Sequence, residues 1–295
     1  MNFCPECGTK VKGFKFCPEC GYKLVLPTEQ DAAPAPTPTP TPAPTPVSDP
    51  AVKVAPASAP VDKPVFGGSL PEFEYDESDE TILTDYNGVA RRVVIPDGVT
   101  RIDSYAFMNA RTVEEIVIPD SVVAIGDNAF EGCSALKHIE LPLDLEELGL
   151  GVFKDCTALE DVTVPDGIEY PDFIEIGEDG WFEGCTALKH ASVPFLIDGI
   201  FSGCTSLKRF VVDDSNDRIP AGAFRGCTAL WEVIMSDTVE VIEEEAFMNC
   251  TALRDVEIPD SVVEVEERAF QNTPLSIDIL PDSVETVGED AFDDM

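Results

Sequence analysis

No apolar run in this 295-residue chain approaches the ~20 residues that a membrane-spanning helix requires. Basic residues are scarce, 19 against 57 acidic ones, and the formal charge is −38. Most of that charge lies in one place: residues 67–295 carry 13 basic and 51 acidic side chains, whereas residues 1–26 have four lysines against two glutamates. A body so acidic is repelled by nucleic acid and by anionic membrane, so neither is expected as its partner. The opening MNFCPECGTK has no apolar h-region. No signal peptide is therefore read, and a cytoplasmic location is expected, with a cell-surface location as the alternative. Histidine is nearly absent, with two in the chain. GxGxxG, P-loop, GxSxG and HExxH patterns are missing as well, so no constellation for catalysis is present and an enzyme is not expected.

Cysteine, by contrast, is plentiful, with ten residues in two different patterns. The head, CPECGTKVKGFKFCPECG, repeats one CPECG knuckle and so places Cys4, Cys7, Cys17 and Cys20 in two pairs. Two residues between cysteines let both thiolates of a knuckle turn onto one ion, and four thiolates suit a tetrahedral structural Zn2+ site. A disulfide pair or a redox CxxC competes with this reading. The duplicated knuckle favours zinc, and no βαβ context surrounds it. Residues 1–26 are too few for a self-sufficient core, so the metal would supply most of the folding energy. With four closed ligands the zinc would be structural, one per chain, with no open position for catalysis. The segment resembles the short zinc ribbons found at the N-termini of many prokaryotic proteins.

Residues 27–66 include APAPTPTPTPAPTPVSDPAVKVAPASAP. Proline removes backbone donors and fixes φ, and few large apolar side chains are present. This stretch is expected to be a disordered, partly polyproline II linker, at ~3.1 Å per residue where extended. A glycosylated Thr/Pro stalk is the alternative.

The remainder repeats. Phenylalanine recurs at Phe107, Phe130, Phe153, Phe182, Phe201, Phe224, Phe247, Phe270 and Phe292, mostly 23 residues apart, with one spacing of 29, one of 19 and a last of 22. Pro96, Pro119, Pro142, Pro165, Pro194, Pro259 and Pro281 keep step, and Asp213 and Ser236 take that slot in two repeats. A fixed period in the twenties means a solenoid, in which each unit buries its apolar face against its neighbours. In LKHIELP, Ile139 and Leu141 are expected inward on a strand, with His138 and Glu140 outward. Val122 and Ile125 return inward on the other side, and Phe130 plugs the core. Three residues after the plugs come Cys133, Cys156, Cys185, Cys204, Cys227 and Cys250, with Ala110 and Thr273 in the equivalent slots of two repeats. A slot that accepts all three wants a small side chain, so these cysteines are expected to be packing residues rather than ligands.

The consensus, roughly L..I.IP.SV..I...AF.GC.A, resembles the BspA-type, or treponema-type, leucine-rich repeats over residues 70–295. FEYDESDETILTDYNG resembles the lead-in common in that family. The resemblance implies a β-rich solenoid with parallel sheet and a protein-binding role, often at microbial or host-cell surfaces. The expected organisation is a zinc ribbon (1–26), a linker (27–66) and a solenoid (67–295) with an N-terminal cap at 67–88 and about nine repeats.

Stacking equivalent positions predicts the outward columns. One runs Glu114, Lys137, Glu160, Lys189, Lys208, Trp231 and Arg254; the next runs Glu115, His138, Asp161, His190, Arg209, Glu232 and Asp255. With strands ~4.8 Å apart, Lys189, His190, Lys208 and Arg209 form a basic island beside Val211, Trp231 and Ile234. An exposed aromatic among aliphatics and arginine has hot-spot composition, so this face is the candidate site for an unidentified protein partner. Packing of Trp231 on its own neighbours is the plainer alternative. His138 and His190 are ~9.6 Å apart on this geometry, too far to share an ion. Two irregular repeats, PDGIEYPDFIEIGEDGWFEGC and PFLIDGIFSGC, lie next to the island and either shape a site or reflect drift. Asp278 falls where an inward residue belongs, so a bulge or frayed end is expected there. The function read from these features is a non-enzymatic interaction module. The alternatives are a nucleic-acid-associated protein acting through its ribbon and a surface adhesin.

Overall fold

The computed structural model describes residues 72–168 and 180–292. The zinc-ribbon cysteines, the linker and the insertion of the long repeat lie outside them. Each repeat coils once around a phenylalanine. A short strand forms one wall, a turn follows the proline slot, a two-residue strand forms the second wall, and a turn carrying the plug closes the coil. Alternation sets the faces: Ile139 is 6% exposed and Leu141 9%, while His138 and Glu140 are open to solvent. Val122 and Ile125 are buried on the return.

The coils stack with parallel strands in register. On the front wall Arg92–Val94, Glu115–Val117, His138–Glu140, Asp161–Thr163 and His190–Ser192 form one sheet. Arg209–Val211, Glu232–Ile234 and Asp255–Glu257 form a second. On the back wall the described strands fall in two sheets, one whose last strand is Glu147–Leu148 and one whose first is Arg218–Ile219, and residues 169–179 between them lie outside the described residues. The front-wall break falls at the short repeat. There, side chains bond the turn of one coil to the turn of the next. Asn216 Oδ1 accepts from the Leu196 N–H at 2.8 Å, and Ser215 Oγ donates to the Pro194 carbonyl at 2.7 Å.

The plug rings run through the break without interruption. Phe153, Phe182, Phe201 and Phe224 stack at centroid distances of 5.5, 5.7 and 5.6 Å. Trp181 and Ile200, which replace the alanine before the plug, are fully buried, and the Trp181 ring packs against Phe182 and Phe195. The N-terminal end is closed by a hairpin, Phe73–Tyr75 antiparallel to Ile82–Tyr86, whose Tyr86 ring stacks on Phe107 at 5.0 Å. At the other end, Ile277–Ile279 forms a 3-10 turn instead of a front-wall strand, with Asp278 inside it.

Candidate interaction surface

The outward face of the front wall is organised by charge. Register places opposite charges on neighbouring strands, and most of them pair. Arg92 Nε lies 3.1 Å from Glu115, and His138 Nδ1 lies 2.9 Å from Asp161 Oδ2. One column outward, Glu114 is shared by Arg91 at 2.6 Å and Lys137 at 3.5 Å. Lys189 Nζ sits 2.6 Å from Glu160 and holds that carboxyl below its ordinary pKa, first by the hydrogen bond and then by its charge. Such exposed pairs contribute little stability each, typically up to ~1 kcal/mol. Their effect here is to neutralise the face.

The candidate residues fall on either side of the front-wall break. Lys189 and His190 belong with the strand His190–Ser192, which is bonded to Asp161–Thr163. Lys208, Arg209 and Val211 belong with Arg209–Val211, which is bonded to Glu232–Ile234. The basic island is thus divided between two sheets, and Lys189 and Arg209 are paired within their own sheets. Besides Lys189, Arg209 meets Glu232 at 2.7 Å, with side chains only 15% and 16% exposed.

The second sheet differs from the first. In its outermost column stand Lys208, Trp231 and Arg254, each immediately before one of three successive strands. The Trp231 N–H donates to the Lys208 carbonyl at 2.9 Å, and the Arg254 N–H donates to the Trp231 carbonyl at 3.2 Å, so the backbone fixes their spacing. Trp231 is half-buried, Lys208 and Arg254 are exposed, and Ile234 remains 39% exposed one column in, beside half-buried Val211. Among the described residues, Arg111, Lys208 and Arg254 are the lysines and arginines that make no ion pair, and Arg111 is engaged with Asn109 Oδ1 at 2.9 Å. Arg254 was visible in the sequence as a member of this column. Its isolation was not, because pairing depends on which carboxylate shares its rung.

A cleft of about 590 Å³ opens beside the break, walled by Phe195, Asp214, Asp217, Arg218, Asp237 and Glu240. Its cation, Arg218, also reaches Glu243 at 3.2 Å. The six repeat cysteines are free and buried. Among the described residues, no group of three or more His, Cys, Asp or Glu side chains is placed to hold a metal ion. No described helix is long and apolar enough to cross a membrane.

Residues 86–200 and 175–295 match the family described as the BspA type leucine rich repeat region. Among solved structures, a leucine-rich repeat protein of T. pallidum is 26% identical. The similarity covers 72% of this chain and 89% of that one, with a TM-score of 0.44. A leucine rich cell surface protein of Faecalibacterium prausnitzii is 22% identical over 75% of each chain, with a TM-score of 0.45. The pneumococcal vaccine antigen PcpA is 18% identical over 73% of this chain and 68% of its own, with a TM-score of 0.38. A search of curated proteins gave no match.

Proposed function

Because the chain belongs to the BspA-type leucine-rich repeat family, we propose that it is a non-enzymatic protein-interaction module whose solenoid binds another protein on its front wall. The observation that carries this reading is the surface at Lys208, Trp231 and Ile234, where apolar and cationic side chains stand together on an otherwise self-neutralised face. Lys189, His190, Arg209 and Val211 border it. A rigid sheet loses little ordering entropy when it binds. The decisive experiment is affinity capture with the full chain, followed by calorimetry of the retained protein. Trp231→Ala is expected to weaken binding by ≥ ~2 kcal/mol as a central anchor, and Glu114→Ala to be near neutral. Equal binding by Trp231→Ala and the parent moves the site elsewhere.

The head is proposed to be a structural zinc ribbon held by Cys4, Cys7, Cys17 and Cys20, joined by the 27–66 linker. The paired CPECG spacing supports it. Native mass spectrometry is expected to find one zinc per chain. Two ions, or zinc retained after Cys4→Ser with Cys17→Ser, would refute it. The lysines of the head favour one competing role, contact with DNA or RNA. Binding of nucleic acid that weakens steeply with salt and depends on Lys10, Lys12, Lys15 and Lys23 would establish that role instead.

A further inference from the structure

The geometry points to a specific ligand chemistry for the column Lys208–Trp231–Arg254: an extended acidic peptide segment of another protein, with an apolar side chain seated at Trp231 between two carboxylates. This deepens the protein-binding reading and rests on it. The argument begins with the charge imbalance. Residues 67–295 hold 51 acidic side chains against 13 basic ones, so a cation on this surface has carboxylates in abundance. On the first front sheet the cations take them, and Glu114 serves two at once. On the second, Lys208 and Arg254 stand one rung to either side of Trp231 and take none. The register that pairs Arg209 with Glu232 places an indole, not a carboxylate, between these two cations.

Spacing selects an extended segment lying along the stack. Two strand intervals separate Lys208 from Arg254, about 9.6 Å. In an extended peptide, alternate side chains share a face at intervals of about 6.6 Å. An apolar residue flanked by acids two positions away on each side therefore places both carboxylates near the cations. The flexible stems of lysine and arginine absorb the mismatch of about 2 Å per interval. Trp231 and the exposed edge of Ile234 supply the apolar floor. Nucleic acid offers the same negative charge but would press a long polyanion against the acidic body on both sides, whereas a short acidic segment meets only the column.

The test uses the full chain and labelled synthetic peptides of the pattern acid-x-Leu-x-acid, with matched peptides carrying Gln or Lys in place of the acids. Fluorescence anisotropy is expected to show the Glu peptide binding at least about tenfold more tightly than the Gln peptide. The charge-reversed variant Lys208→Glu/Arg254→Glu is expected to invert the preference toward the Lys peptide. Both substituted side chains are exposed, and thermal melts of the variant confirm that it folds. Equal binding of Glu and Gln peptides, no binding of any, or a preference unchanged by charge reversal overturns the assignment. So does self-association, measured by sedimentation, that charge reversal abolishes, because the occupant would then be a second copy. The broader reading, a protein bound on the front wall around Trp231, fails separately, when a captured protein is indifferent to Trp231→Ala.

Discussion

Each buried cysteine does more than fill a small slot. The Cys156 thiol donates to the Phe130 carbonyl of the preceding repeat at 3.2 Å, and the Cys133 backbone N–H donates to the same oxygen at 3.1 Å. The pattern recurs from Cys133 to Cys250, so a column of thiols ties each plug to the next coil. The sequence reveals the slot, since Ala110 and Thr273 also occupy it, but not the bond, which depends on the distance between coils. A second regularity was passed over. Two residues beyond each plug from Phe107 to Phe270 the backbone turns left-handed, with φ of 62° at Asn109, 68° at Gly132, 58° at Asp155 and 74° at Gly226. Glycine, asparagine and aspartate tolerate that conformation best, which is why glycine so often precedes the cysteine. The thiol can donate only while protonated, and burial raises the pKa of Cys204 and Cys227 and pushes Cys250 up to about 12. Iodoacetamide at about pH 8 should therefore leave all six repeat cysteines unmodified in the native protein and label them after unfolding, as read by mass spectrometry. Cys156→Ala should cost only ~1 kcal/mol in urea melts, because the Phe130 carbonyl keeps its backbone donor.

At the scale of the element, periodicity made most of the fold legible. The nine phenylalanines set the coil, and alternation within LKHIELP set which side chains face in. Ring stacking explains why the period holds where the front wall breaks. From Phe107 to Phe292 every plug lies 5.1–5.7 Å from the next, including across the long and short repeats. What could not be read was the interruption of the front wall. The front-wall ladder breaks at the short repeat while the plug is spared, and the bonds of Ser215 and Asn216 there link residues twenty or so positions apart. An N-terminal cap at 67–88 was expected from the lead-in, but its hairpin form was not legible, because Tyr86 joins the ring column as a tyrosine outside the repeat pattern. Phe153→Ala should empty a fully enclosed plug between two stacked rings and cost ~3–5 kcal/mol. Urea denaturation giving losses comparable to those of Cys156→Ala would contradict the ring column as the principal support.

Over the whole molecule, charge sets how stability responds to solution conditions. The body carries a large negative excess, and self-repulsion destabilises a compact state. Two carboxyls sit inside this field with their pKa values raised, both first by burial: Asp198, which also faces Arg218, and Glu243, which faces Arg218 and Asp198. A carboxyl whose folded pKa exceeds its unfolded value binds more protons when folded, so stability falls as pH climbs through the interval between them and is regained on acidification. Asp76, Asp79 and Glu160 behave oppositely. Hydrogen bonds from Ser78, Thr81 and Lys189 lower their pKa values, so their contribution is present at neutral pH and is lost only below the ordinary carboxylate range. The melting temperature should therefore rise as pH falls from neutrality toward the ordinary carboxylate range, by roughly 2–4 °C for each kcal/mol regained, and decline again below that range. Added salt at neutral pH should raise it as well by screening the exposed carboxylates. Two contributions can be separated by substitution. Glu243→Gln keeps an oxygen to accept from the Ala221 N–H but removes the titration, so calorimetric scans of this variant should show a shallower rise at low salt and only a residual one at high salt. A rise of unchanged slope in Glu243→Gln at low salt that disappears at high salt would assign the pH response to the collective field rather than to the buried carboxyl beside Arg218.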